Sequence, residues 1–124
     1  MIALPPRALI LKPRWLDLIL EGKKTWELRG TRTHVRGRVA LAASGTGLLF
    51  GTVDIEGCLG PMTQDELSMR EAEHAVPANE LRNVPYAKTF AWVLSGAGKF
   101  EVPVSFTHSP GAVVWVTLRA PTTA

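Results

Sequence analysis

Residues 21–29 read Glu21-Gly22-Lys23-Lys24-Thr25-Trp26-Glu27-Leu28-Arg29, and this stretch joins two elements of different period. Upstream, Trp15, Leu16, Ile19 and Leu20 share one helical face, and Pro13 suits a first turn, where its missing N–H costs nothing. Gly22 supplies the left-handed residue that often ends a helix, so a helix is expected from Pro13 to Glu21. Downstream, Trp26 and Leu28 alternate with Thr25, Glu27 and Arg29, which is a strand with an apolar back and a polar front. Two lysines therefore sit where a helix ends and a strand begins. Lysine, threonine, glutamate and arginine converge there on one patch. Such a patch mixes cations that seek phosphate with a carboxylate that pairs with them or accepts from a base or ribose. The plain alternative is that Lys23 and Lys24 cap the helix dipole while Glu27 and Arg29 form a surface ion pair.

Outward from this stretch the chain reads mostly as strands. Ala8 to Leu11 is a short apolar run that suits a buried strand. Gly30 to Gly37 is a polar, basic loop. Arg38 to Ala43 and Leu48 to Glu56 read as strands, with Ser44 to Gly47 turning between them. Thr63-Gln64-Asp65-Glu66 fits a capping box and starts a polar helix that is expected to reach Ala75. Ala78 to Val84 adds a helical turn. Strands return over Thr89 to Leu94, Lys99 to Phe106 and Ala112 to Leu118. Gly96 and Gly98 mark one turn, and Ser109-Pro110-Gly111 marks another. The tail from Pro121 is expected to fray. The sum is an α+β, mainly β chain of about six strands, with an N-terminal helix and a mid-chain helical insertion. Short connections favour a small mixed or antiparallel barrel over a parallel α/β fold.

The 124 residues fit one domain, 1–124, with a core over about 8–118. At 46% hydrophobic and 20% charged, the chain is globular in composition. Cys58 is the one cysteine, which excludes an internal disulfide and an all-cysteine zinc site. With no basic-then-apolar signal order and no long apolar run, the expected compartment is the cytoplasm and no membrane contact is expected. The net charge of +3 leans toward anionic partners. Most of the 14 lysines and arginines fall between Lys12 and Arg38, among them Arg32 and Arg36 in the loop.

Resemblance adds to this. The run Leu11-Lys12-Pro13-Arg14-Trp15, followed by Ile19 to Arg29, resembles the signature of the ASCH domain family. Gly22, Lys24, Glu27 and Arg29 match that family's glycine, lysine, glutamate and arginine place for place. Gly51-Thr52-Val53, Phe90 to Leu94 and Gly111 to Trp115 resemble its later strands. The resemblance covers roughly Ala8 to Leu118. It implies a PUA-like β-barrel whose cleft binds RNA or another nucleic acid. Some similar members hydrolyse RNA. Another branch removes the acetyl group from N4-acetylcytidine, using a lysine, a threonine three residues later and a distant glutamate. Lys24 matches that lysine, but Glu27 stands in the threonine's place. A carboxylate does not make the same acyl intermediate as an activated hydroxyl. It can serve as a general base for water, with Lys24 stabilising developing negative charge.

The candidate site follows. Lys23, Lys24, Arg29, Arg32 and Arg36 are expected to hold phosphates, and Glu27 to read a base or ribose edge. Tyr86, after Pro85, is the candidate to stack a base, with Lys88 beside it. Ser44 at a barrel rim and His108 near a strand-joining turn are further candidates, each with a bland reading as a turn residue. Trp15, Trp26 and Trp92 are expected in the core. His34 is a candidate contact in the basic loop, and His74 is expected to be a solvated helix residue. The histidines lie far apart without ligands at metal spacing, so no metal is expected. Gly45-Thr46-Gly47 lacks the Gly-Lys-Ser/Thr of a phosphate loop, no Gly-x-Ser-x-Gly elbow exists, and no cofactor is expected. The leading expectation is a domain that binds RNA, single-stranded nucleic acid or a nucleoside. The alternative is a small hydrolase using Lys24 and Glu27. A protein-interaction module ranks third.

Overall fold

The computed structural model describes residues 3–108 and 110–118. Ser109 and the tail from Pro121, both assigned roles by the sequence, lie outside the described residues.

The strands are β1 (Arg7–Leu11), β2 (Trp26–Arg29), β3 (Gly37–Ala43), β4 (Leu48–Met62), β5 (Thr89–Ser105) and β6 (Trp115–Thr117). The helices are α1 (Pro13–Leu20), α2 (Gln64–Ser68), α3 (Glu71–His74) and α4 (Ala78–Leu81). One mixed sheet runs in the order β2-β5-β4-β3-β1-β6. β1 and β3 pair in parallel, Ala8 with Ala40 through Leu11 with Ala43, and the other pairs are antiparallel. The expected strand number, leading helix and helical insertion are all present. The barrel does not close through its ladder: among the described residues β2 and β6 remain edges with no pairing between them.

β1 is buried on both faces, which explains its unbroken apolar run. Leu9 and Leu11 meet Leu16 and Ile19 of α1 and the inward residues of β3, β4 and β5. Ala8 and Ile10 join Ala40, Ala42, Leu49 and Val116 in a second cluster. The back of β2, Trp26 and Leu28, buries against Leu67, Val76 and Leu81 of the helical insertion. α1 ends as expected, with Glu21 as its last cap and Gly22 at φ +78°.

Three expectations need correction. The mid-chain helix is not continuous to Ala75. Its capping box forms, with the Thr63 hydroxyl accepting from the Glu66 N–H and the Glu66 carboxylate accepting from the Thr63 N–H. The helix then stops because the Leu67 carbonyl, which continuation would give to the residue 71 amide, faces Arg70 N and His74 Nε2 instead. Gly96 and Gly98 do not mark a turn, since β5 runs through them against β4. Gly96 takes a left-handed φ of +62° inside a strand pairing that shifts register, and the Gly98 carbonyl crowds Gly51 of β4. The last strand is also shorter than Ala112 to Leu118: it spans Trp115–Thr117, with single backbone hydrogen bonds from Ile10 N–H to Val114 and from Leu118 N–H to Pro6 just beyond its ends.

The Gly51–Gly98 approach makes a sharp prediction. A Cβ on Gly51 would sit 2.3 Å from the Gly98 carbonyl oxygen and 2.7 Å from a Leu20 methyl, whereas one on Gly57 would meet nothing within 4 Å. Gly51→Ala should cost about 1–3 kcal/mol in urea unfolding, and Gly57→Ala should stay within about 0.5 kcal/mol. Equal effects would show that the strands do not approach as described.

Candidate functional site

The cleft with a volume of about 520 Å³ opens between β1 and β2, strands that the sheet does not pair. Ile10 and Leu11 form one wall and Lys24, Glu27, Leu28 and Arg29 the other. Trp15, Ser44 and the segment after α4, including Asn83 and Tyr86, complete the rim.

Glu27 is the centre of the polar wall. It is 4% exposed on an inward-facing register position opposite Trp92. Its Oε2 accepts from Arg29 Nε at 2.9 Å, and its Oε1 lies 3.6 Å from Lys24 Nζ. Arg29 also donates through Nη2 to the Ile10 carbonyl at 2.8 Å, which ties edge strand β2 across the gap to β1. That carbonyl is available because Val114 accepts from the Ile10 N–H but returns no hydrogen bond to it. The Arg29 guanidinium lies 5.6 Å from the Trp92 ring centre.

Lys24 is 2% exposed. Its ammonium donates to the His74 carbonyl at 2.6 Å and lies 4.7 Å from the centre of the Trp15 ring. Burial pushes its pKa down to about 8, against the opposing pull of Glu27. His74 is the correction here: it is buried at 0% exposure, not solvated. Its Nδ1 accepts from the Val76 N–H at 2.9 Å, so Nε2 carries the proton and donates to the Leu67 carbonyl at 2.7 Å. The imidazole thus locks the α3 turn whose carbonyl holds Lys24. No sequence pattern signalled this, because the ring's partners are backbone groups.

The triad carries two cations and one carboxylate, so the wall holds one positive charge in excess. Stripped of partners, charges this buried would be costly. Among the described residues no buried side-chain nitrogen or oxygen lacks a hydrogen-bond partner.

Of the other expected site residues, Ser44 and Tyr86 line the cleft. Tyr86 is 37% exposed, and its ring packs on Gly30, where a Cβ would come within 2.8 Å of it. Lys23 is exposed and pairs with Glu21 at 3.1 Å, outside the lining. Arg32 donates to the Gly60 carbonyl, Lys88 is exposed, and His108 meets the Ala112 carbonyl; all three lie outside the lining. Arg36 lines a different depression. Trp92 is in the core as expected, stacked on Trp115 at 5.7 Å, and Trp26 is buried too. Trp15 is only partly buried and lines the cleft, with Arg14 at 4.3 Å from its ring. Sequence reasoning also missed Lys12, Glu80 and Asn83. Glu80 is held by a bidentate pair with Arg14 at 2.7 Å, which fixes α4 over α1.

Among the described residues no cluster of histidine, cysteine, aspartate or glutamate has the makings of a metal site. No helix among them is long and apolar enough to cross a membrane.

The comparisons agree with this architecture. The ASCH domain family matches residues 9–104. The chain therefore belongs to the ASCH domain family, and its fold is PUA-like. The structure of an ASCH protein from Zymomonas mobilis is similar at a TM-score of 0.71 and 19% identity, covering 91% of this chain and 87% of that one. A variant of it with a tyrosine replaced by phenylalanine aligns equally well, over 89% of its length. A serine-to-alanine variant aligns at a TM-score of 0.68 and 20% identity, over 91% of this chain and 87% of that one. No curated protein matches the sequence.

The buried lysine yields a measurable pH signature. The folded protein releases this proton at about pH 8 and the unfolded chain near 10.5, so in between the unfolded state binds more protons. Lys24 should therefore make stability rise with pH across that window. Lys24→Met should remove that rise from a pH series of denaturant unfolding. An identical slope in both proteins would mean that Lys24 titrates normally.

Proposed function

We propose that this ASCH domain binds single-stranded RNA or a nucleoside portion of it, holding one nucleotide in the β1–β2 cleft. The observation that carries the reading is Lys24. A charged side chain buried at the bottom of a cleft, with Arg29 beside it and a carboxylate that neutralises only one of the two, is poised to receive an anionic or oxygen-rich group. The volume suits one nucleotide rather than a duplex. Tyr86 and Trp15 supply aromatic surface at the rim for a base. The Ser44 hydroxyl and the Asn83 amide add neutral partners for a ribose or base edge. Both oxygens of Glu27 face cations, so its main part in binding is to aim Lys24 and Arg29.

A second reading rests on the lowered pKa of Lys24. An amine that releases its proton near pH 8 is available as a base or nucleophile close to neutrality. This favours a hydrolase acting on RNA or on a modified nucleoside such as N4-acetylcytidine, the two activities that the family resemblance implies.

The binding reading is tested by fluorescence anisotropy with labelled single-stranded RNA. Tyr86→Ala should weaken binding by about 1–3 kcal/mol if one base stacks there. Lys24→Met should weaken it at least comparably. Added salt should lower affinity with a log–log slope of about −0.7 for each phosphate contacted. Wild-type affinity in both variants would rule out this cleft as the binding site. For the hydrolase reading, products are followed by mass spectrometry. Turnover should rise with pH through about 8 and vanish in Lys24→Met.

A further inference from the structure

A second depression, about 410 Å³ in volume, is lined by Pro6, Arg7, His34, Arg36 and Arg38 among others. Its cations are anchored in a distinctive way. Arg36 Nη1 donates to the Thr33 and Val35 carbonyls at 3.1 and 2.8 Å. Arg7 lies 5.9 Å from the centre of the Trp115 ring. Among the described residues neither makes an ion pair with a carboxylate; Arg38 does, with Asp54 at 3.5 Å. Carbonyls and an aromatic face fix the direction of a guanidinium without cancelling its charge. Surface arginines that serve only solubility need no such anchoring.

The position of this depression matters as much as its charge. It is built from the starts of β1 and β3, while Ile10, Leu11 and Ser44 of the first cleft lie at and just beyond the ends of the same parallel pair. Arg7 and Leu11 are separated by roughly 13 Å at the usual rise per strand residue. The two clefts are also joined through rings. Arg7 lies against Trp115, Trp115 stacks on Trp92, and Arg29 of the first cleft lies against Trp92. Trp92 is further pinned by its Nε1 donating to the Thr31 carbonyl at 2.9 Å. Their spacing is thus set by the core.

We propose that the Arg7–Arg36–Arg38 depression is a second anion site that takes phosphate groups, so that a strand seated in the first cleft is gripped again at the other end of β1. The strand half of this statement rests on the nucleic-acid reading given above; the phosphate site does not. Two bidentate-capable guanidiniums suit the oxygens of a phosphodiester or a free pyrophosphate alike.

The test compares wild type with the double variant Arg7→Gln/Arg36→Gln, using three probes. A single-stranded RNA of about a dozen nucleotides reaches both sites. Cytidine, which carries no phosphate, reaches the first alone, and inorganic pyrophosphate probes the second by NMR shifts at His34 and Arg36. The variant should bind the RNA about tenfold more weakly, with the salt slope reduced by about 1.4 for two lost contacts. Its cytidine affinity should be unchanged and the pyrophosphate shifts lost. Arg7→Lys/Arg36→Lys should keep the salt slope, separating charge from fold. Should the glutamine pair unfold, pyrophosphate shifts in the wild type still decide: localised at the depression they support the site, and spread over the surface they overturn it. Wild-type RNA affinity and slope in a folded glutamine pair overturn the proposal as well. If pyrophosphate seats there but neither RNA nor cytidine binds, the second site stands for free phosphate and the reading of the first cleft fails.

Discussion

Edge strand β2 has one ladder neighbour and must still be held against the rest of the sheet. Glu27 makes that attachment electrostatic. Its carboxylate lies between Lys24 and Arg29, and each cation then reaches a backbone carbonyl on another part of the chain: Lys24 that of His74 in α3, Arg29 that of Ile10 in β1. Three elements are thus tied through one buried carboxylate. An apolar side chain at position 27 would bury as well but would leave both cations without their counter-charge, and a charge stripped of its partner in such a site costs several kcal/mol. The helical insertion then covers the apolar back of β2, so the strand is clamped from both faces.

The open seam between β1 and β2 follows from the same arrangement. β1 gives its ladder edges to β3 and to the short β6, and beyond Leu9 its carbonyl at Ile10 goes to a side chain rather than to a strand. A longer β6 or a β1–β2 ladder would fill the seam with backbone hydrogen bonds and remove the cleft. Incomplete closure of the sheet is therefore what creates a cavity with charged groups at its base.

Much of this was legible in residues 21–29. Alternation placed Trp26 and Leu28 opposite Glu27 and Arg29, and Gly22 marked the end of α1. The capping box at Thr63 and the strand count were equally local. What was not legible depends on distant backbone. His74 reads as a polar residue of an acidic helix, yet its ring serves carbonyl and amide groups that only the folded turn brings to it. Gly96 and Gly98 look like a turn because a left-handed residue usually marks a reversal, and only the pairing with β4 shows that Gly96 takes that φ within a strand while the Gly98 carbonyl lies against Gly51. The cluster of basic residues from Lys12 to Arg38 suggested one patch. The fold distributes it over two clefts and the surface, because Lys12, Lys24 and Arg29 gather at the end of β1 while Arg36 and Arg38 gather at its start.

The two clefts differ in how charge is held, and that difference has chemical consequences. In the first, Lys24 is dehydrated, and its attraction to a ligand is strengthened by the low local dielectric while a neighbouring carboxylate limits it. Such a site discriminates by shape and by the number of oxygen atoms offered, because any group that enters must replace lost hydration. In the second, the arginines remain exposed to solvent, so attraction is weaker, salt-sensitive and tolerant of what carries the charge. A buried selective site and a solvated permissive one, set at fixed spacing by the Trp92–Trp115 stack, divide recognition into identity at one end of β1 and grip at the other.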